Sequence, residues 1–232
     1  MGDVNIKDKN TLQSRIIALI CGLILNSFGN ALTIVSSCGS GIWTAAAVNI
    51  NKLLGFDLGI LIFTFGVINA LTNQILLRRI DIPRFVEEIV FISGFSYFIN
   101  IFTKLFTNLG WENNALWIRV IMSIIGVACF CTAISLYQRA NIFMHPNDDT
   151  TNILRFKFLN GSAILSQLID MLPPIIIIII CSIPLGRVYS VGVGTIFSVL
   201  CNGILIQNAD KFVFPSLKHN KNINEEIQNK RE

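Results

Sequence analysis

Charge is scarce in this sequence and histidine nearly absent. Only 14% of its 232 residues are Asp, Glu, Lys or Arg, where a soluble domain carries roughly 25%. The two histidines are His145 and His219. No His-Glu-x-x-His, Gly-x-Ser-x-Gly or Walker-type glycine loop occurs, so metal-assisted hydrolysis, acyl transfer and ATP use have no visible machinery. Neither an enzyme nor a cofactor is expected. Cys21, Cys38, Cys129, Cys131, Cys181 and Cys201 include no Cys-x-x-Cys pair. All but Cys38 fall inside apolar runs, where cysteine behaves as a small hydrophobe, so no metal site or disulfide framework is indicated.

What is present is apolar sequence in long runs. Hydrophobic residues make up 53% of the chain and mean hydropathy is +0.63. A crossing of a ~30 Å hydrocarbon core needs about 20 such residues, and the runs predict six spans, at 16–36, 58–77, 85–106, 116–137, 160–184 and 189–209. The fold class is an all-α polytopic membrane protein in the lipid bilayer. The first run exceeds a signal-peptide core and lacks a clean cleavage site, so it reads as a retained span. "MGDVNI" has Ile6 where myristoylation wants Ser or Thr.

Six spans put both termini on one side of the cell membrane. That side carries fourteen Lys and Arg residues, Arg15, Arg78, Arg79, Arg84, Arg139, Arg155 and Lys157 among them. The other side has four: Lys52, Lys104, Arg119 and Arg187. The bias predicts cytoplasmic N- and C-termini, and it accounts for the net charge of +4 without a nucleic-acid partner.

Two connectors interrupt the pattern, "CGSGIWTAAAVNINKLLGFD" after the first span and "FMHPNDDTTNIL" after the fourth. Each has room for a short helix at the membrane edge or a partly re-entrant segment, which needs protein or water to satisfy its backbone. Shifting the chain by 104 residues lays Arg15 on Arg119, Gly22 on Gly126 and "GIWT" on "HPND", without a gap. The layout repeats as well: span, interrupted connector, span, span. Three spans per half invert the second half, an architecture of many secondary transporters. The expected units are a polar segment 1–14, three-helix repeats at 15–107 and 115–212, and a polar tail 213–232.

Over roughly residues 15 to 212 the chain resembles the YczE-like branch of the YczE/YitT integral membrane proteins. The family pattern, carried twice, is a first span ending in a Gly-x-x-Pro-[Trp/Arg]-Asp connector and a later Gly-Ile-Gly-Thr helix start. The second half keeps Pro146, Asp148 and "GVGT" at Gly192 to Thr195. The first half keeps Gly39 and Trp43, has Ile42 and Thr44 in place of Pro and Asp, and shows "DIPRFVEE" instead of the glycine motif.

Several polar residues in apolar surroundings are candidates for substrate contact. In "HPNDD", Pro146 stops a preceding helix, and Asn147 or Asp148 is expected to cap the next one. Asp149 suits its dipole, and the same carboxylates can meet a cation or an amine. Trp43 either anchors at the interface or lines a cavity. "SVGVGT", with Thr195, either packs closely or offers amides to an anion. Asn26 and Asn30, like Asn69 and Asn73, share a helix face at i, i+4; with Asn100 and Asn202 they form interhelical bonds or a polar pathway. Asp170 lies mid-span before Pro173 and Pro174, where an ionised carboxylate costs roughly 2.5–3.5 kcal/mol. The function expected is a permease or exporter of a small molecule or ion. The alternative is a substrate-binding or accessory membrane subunit with a membrane or ATPase partner.

Overall fold

The computed structural model describes residues 10–218, and the described chain is helical throughout. In order it forms α1 (Leu12–Ser36), α2 (Ile42–Leu54), α3 (Leu58–Leu77), α4 (Ile82–Asn108), α5 (Leu116–Ala140), α6 (Pro146–Ile153), α7 (Ala163–Leu185) and α8 (Val193–Phe212). A 3-10 turn at Trp111–Asn113 precedes α5, and a π-helical turn at Leu154–Phe158 continues α6. Most of the predicted N-terminal segment and the tail beyond residue 218 lie outside the described residues.

Five of these helices, α1, α3, α4, α5 and α7, are long and apolar enough to cross a membrane. The sixth predicted span forms α8, whose 20 residues reach ~30 Å. Asn202, Gln207, Asn208, Asp210 and Lys211 make α8 less apolar than the others. Lipid-facing surface is plain on α7, where Leu168, Leu172, Ile176, Ile179 and Ile183 are exposed at helical spacing. Local chemistry sets the helix ends. Thr11 and Asp57 accept amides of the first turns of α1 and α3. Ser37 and Asn141 close α1 and α5 in the left-handed conformation.

The helices pack as two related halves. α1 lies along α5; α4 packs on α1 as α8 packs on α5, and α2 packs on α7 as α6 packs on α3. Individual contacts obey the 104-residue offset. Gly22 sits on the backbone of Ala133, and its mate Gly126 sits on the backbone of Gly29. Arg15 donates from Nε to the carbonyl of Ala140 (2.6 Å). Its mate Arg119 donates from Nη1 to the carbonyl of Ser36, the mate of Ala140 (3.4 Å). An arginine at the start of each helix reaching the last carbonyls of the other requires α1 and α5 to run antiparallel. The largest departure is at α3, which packs along α4, whereas α7 makes no comparable contact with α8.

The described ends of the chain meet. Asn10 Nδ2 donates to the Lys218 carbonyl (2.7 Å), and the Lys218 amide donates to Asn10 Oδ1 (2.8 Å). Residues 213–218 fold back, with Leu217 packed against Ala18, Leu136 and Ala140. The buried Arg139 holds this return by donating to the carbonyls of Val213, Phe214 and Leu217 and pairing with Asp210.

Candidate functional site

The middle turns of α1, α3, α4, α5 and α8 and the first turns of α2 and α6 surround a cavity of about 170 Å³. Its polar wall is built largely of amides: Asn26 and Asn30 from α1, Asn69 from α3, Asn147 from α6 and Asn202 from α8. Thr44, Tyr137, His145 and Asp148 complete it, and Trp43, Phe65, Phe95 and Phe130 supply aromatic surface. Among the described residues, neither lysine nor arginine lines it.

On the α1 side the polar groups satisfy one another. Thr44 Oγ1 donates to Asn30 Oδ1 (2.9 Å), and Asn30 Nδ2 donates to Asn26 Oδ1 (2.9 Å). Across the cavity, Asp170 of α7 is held by one side chain from each half. Trp43 Nε1 and Asn147 Nδ2 both donate to its Oδ2, each at 3.1 Å. Trp43 and Asn147 are mates under the 104-residue offset, as are Thr44 and Asp148. The mate of Asp170 is Gly66, which also lines the cavity. The halves therefore converge on one carboxylate, and the symmetry breaks at Gly66, where the first half packs Ile92 over a glycine instead of placing a charge.

The α6 end shows how "HPNDD" folds. Pro146 occupies the first helical position, where its missing N–H costs nothing. The cap is His145, whose Nδ1 accepts the Asn147 amide (3.2 Å). The sequence pointed to Asn147 or Asp148 for this role; the helix starts earlier because proline fixes its first residue, and both side chains are left for other partners. His145 meets Phe91 and Phe95 edge-on, at 5.7 and 5.1 Å between ring centres. Burial pushes His145 down to about 4, so it stays neutral with Nδ1 free to accept.

Asp148 accepts a hydrogen bond from the Tyr137 hydroxyl and lines the cavity. Burial lifts its carboxyl to about 7, against the Tyr137 hydrogen bond and with the charges of Asp170 and Asp149. The neighbouring Asp149 points elsewhere, and Arg84 clasps both its oxygens. Beside that pair, Glu88 Oε1 accepts from Asn73 Nδ2 (2.7 Å), and Asn73 also reaches the Pro146 carbonyl (3.0 Å). These bonds fix α6 against α3 and α4.

Of the residues singled out from the sequence, Asn26, Asn30, Trp43, Asp148 and Asn202 line the cavity, and Asp170 is bonded to two of its lining residues. Asp149 and Thr195 serve joints elsewhere. Thr195 Oγ1 donates to the Ser40 carbonyl (2.8 Å), the Gly194 amide to the Cys38 carbonyl (2.9 Å), and Ser123 Oγ to the Gly39 carbonyl (2.7 Å). A β-carbon on Gly39, at φ 120°, would stand 2.5 Å from the Thr195 nitrogen, so the two glycine motifs form one packed joint. Asn69 donates to Asn147 Oδ1 (3.3 Å), whereas Asn100 binds Asp57 (3.2 Å). Tyr137, His145 and Asn147 were not anticipated as lining residues. The offset that equates Asn147 with Trp43 was the available signal for one of them.

Residues 13–211 match the model of a Family of unknown function (DUF6198), and the chain belongs to that family. Neither a curated protein nor a solved structure matches it.

Proposed function

We propose that this DUF6198 member is a small-molecule permease or exporter working by alternating access, with the cavity as its substrate site. One observation carries the reading: two repeat-related short helices, α2 and α6, bring their first turns to one polar cavity at mid-height between the halves. Many secondary transporters bind substrate at the interface of inverted repeats, near the midplane, with interrupted helices. In this reading α8 is a sixth crossing, residues 15–107 and 115–212 are the moving halves, and both termini are cytoplasmic. The end of the bundle shared by Arg15, Arg84, Arg139 and Lys157 is richer in Lys and Arg than the end holding Lys52, Arg119 and Arg187, which supports that orientation. Asn26, Asn30, Trp43, Asp148, Asp170 and Asn202 contact the substrate, while Asp149 and Thr195 brace the helices that carry them. The kinship with YczE-like proteins rests on Pro146, Asp148 and the Gly192–Thr195 motif.

A second reading, an accessory or substrate-capturing subunit, draws support from α7, which has no counterpart to the α3–α4 packing and so leaves a flank for a membrane partner. Thiol accessibility separates the two. In a cysteine-free background, Ile134→Cys places one thiol on the cavity wall. A carrier exposes it to an impermeant maleimide from the outside in right-side-out vesicles and from the inside in inverted ones. Reaction from only one face overturns alternating access and leaves the subunit reading.

A further inference from the structure

We infer that the cavity takes a small organic ammonium cation, its charge beside Asp148 and Asp170 and its apolar part against the aromatic wall. The inference rests on the cavity being a ligand site and adds the class of ligand.

Among the described aspartates, Asp57, Asp81, Asp149 and Asp210 each have a cationic partner, in Lys104, Arg79, Arg84 and Arg139 respectively, and the buried Glu88 lies beside the Arg84–Asp149 pair. Asp148 and Asp170 have only neutral donors: Tyr137 for the first, Trp43 and Asn147 for the second. Asp170 is 8% exposed; Asp148 is half-buried and lines the cavity. Buried charge is normally paired, because removing it from water is costly.

Helix dipoles offset part of this. The N-termini of α2 and α6 border the cavity, and each contributes the equivalent of about +0.5 elementary charge. Two carboxylates against two such ends leave a net charge near −1. A monovalent cation completes the balance, whereas an anion would add to an existing excess.

The wall indicates which kind of cation. Trp43, Phe65, Phe95 and Phe130 present ring surface of the sort that attracts ammonium groups. Asn69, Asn147 and Asn202 place amides around the same space; the oxygens of Asn147 and Asn202 already accept from neighbouring side chains, which leaves the carboxylates as the main acceptors for an ammonium N–H. A small inorganic ion would use the carboxylates and leave the aromatic wall without a partner.

Trp43 serves as a reporter, since it lines the cavity and donates to Asp170. With Trp111→Phe and Trp117→Phe, it is the only tryptophan. The purified full chain in detergent is titrated with n-butylammonium, n-butanol, butyrate and sodium chloride at constant ionic strength, reading Trp43 fluorescence and thermal stability together. Saturable binding of n-butylammonium in either readout is expected, with n-butanol, butyrate and sodium much weaker. Asp148→Asn and Asp170→Asn each weaken it by at least about tenfold. Asp170→Asn retains an oxygen to accept both existing hydrogen bonds, so an unchanged melting temperature in that variant separates lost charge from lost fold. Equal response to n-butanol, preference for butyrate or for sodium, no saturation in either readout, or wild-type affinity in both variants overturns the assignment. Cavity access in vesicles is measured independently, so a protein that binds n-butylammonium but exposes the cavity to one face keeps this inference and loses the carrier reading.

Discussion

Gly29 and Gly126 meet backbone to backbone: a β-carbon built on either stands 2.6 Å from the carbonyl oxygen of the other. The obstacle is main chain on both sides, so no side-chain rotation relieves it. Small residues permit such approach between helices in lipid, where packing rather than water drives association. Gly29→Ala and Gly126→Ala should each push α1 from α5 and cost about 1–3 kcal/mol, the range for overpacking. Gly203 of α8 is the control, with nothing within 4 Å of its β position. Gly203→Ala should be neutral or stabilise by up to about 1 kcal/mol through helix propensity. Thermal unfolding in detergent checks both, and equal behaviour of the three variants would refute the close contact.

The arginine mates are unequal, which yields a second prediction. Arg15 donates to the carbonyls of Ala140 and Asn141. Arg119 makes one long bond to Ser36, and its Nε is buried without a partner. Arg15→Gln should cost about 2–3 kcal/mol, the scale of hydrogen bonds to a charged group, and Arg119→Gln less than about 1 kcal/mol. Melting temperatures of the two variants rank them; a larger loss at Arg119 contradicts the asymmetry.

The repeat and the main helices were legible in the sequence for related reasons. Apolar runs of crossing length have few alternatives to helix in lipid, and the predicted 58–77 is α3 residue for residue. The offset of 104 was visible in Arg15, Gly22 and their mates, which are the residues that join α1 to α5. What each polar side chain touches was less visible. Arg139 reads as a charge on a cytoplasmic loop, yet the structure buries it as a staple for the carbonyls after α8. Asp148 and Asp149 are adjacent and chemically identical, but successive helix positions differ by about 100°, which sends one to the cavity and the other to Arg84. No local pattern records which of the two faces inward, because the neighbours that decide it come from α4 and α5.

Asp148 should make cation binding pH-dependent. Burial holds its carboxyl near 7, and only the ionised form balances an ammonium ion. Protons therefore compete with the ligand: as pH falls below about 7, affinity for n-butylammonium should fall, approaching about tenfold per unit. The titratable groups around it are Tyr137 and Cys131 from α5, Asp170 from α7 and, on α6 itself, Asp149 with Arg84 and the neutral cap His145. Glu88 of α4 lies beyond, next to the Asp149 pair. The elements α1, α2, α3 and α8 present amides, hydroxyl and indole instead. Titrations from about pH 8.5 to 5 test the slope, and an affinity flat across that range removes Asp148 from the charge balance.

Orientation in the membrane gives the last prediction. Leu54, at the end of α2, and Ile80, between α3 and α4, are separated by the single crossing α3 and lie at opposite ends of the bundle. Both are well exposed, at 58% and 86%, so neither thiol would be hidden by packing. Cys21 is exposed as well, which makes a cysteine-free background necessary. Ile80 lies among Arg78, Arg79 and Arg84 on the cation-rich end, and Leu54 belongs to the end where Lys52 and Arg187 stand against Tyr189. Retention of positive charge on the cytoplasmic side then assigns the two positions. An impermeant thiol reagent applied to intact cells should label Leu54→Cys and spare Ile80→Cys until the membrane is permeabilised. Labelling of position 80 in intact cells, with position 54 protected, would invert the protein and place both described chain ends outside.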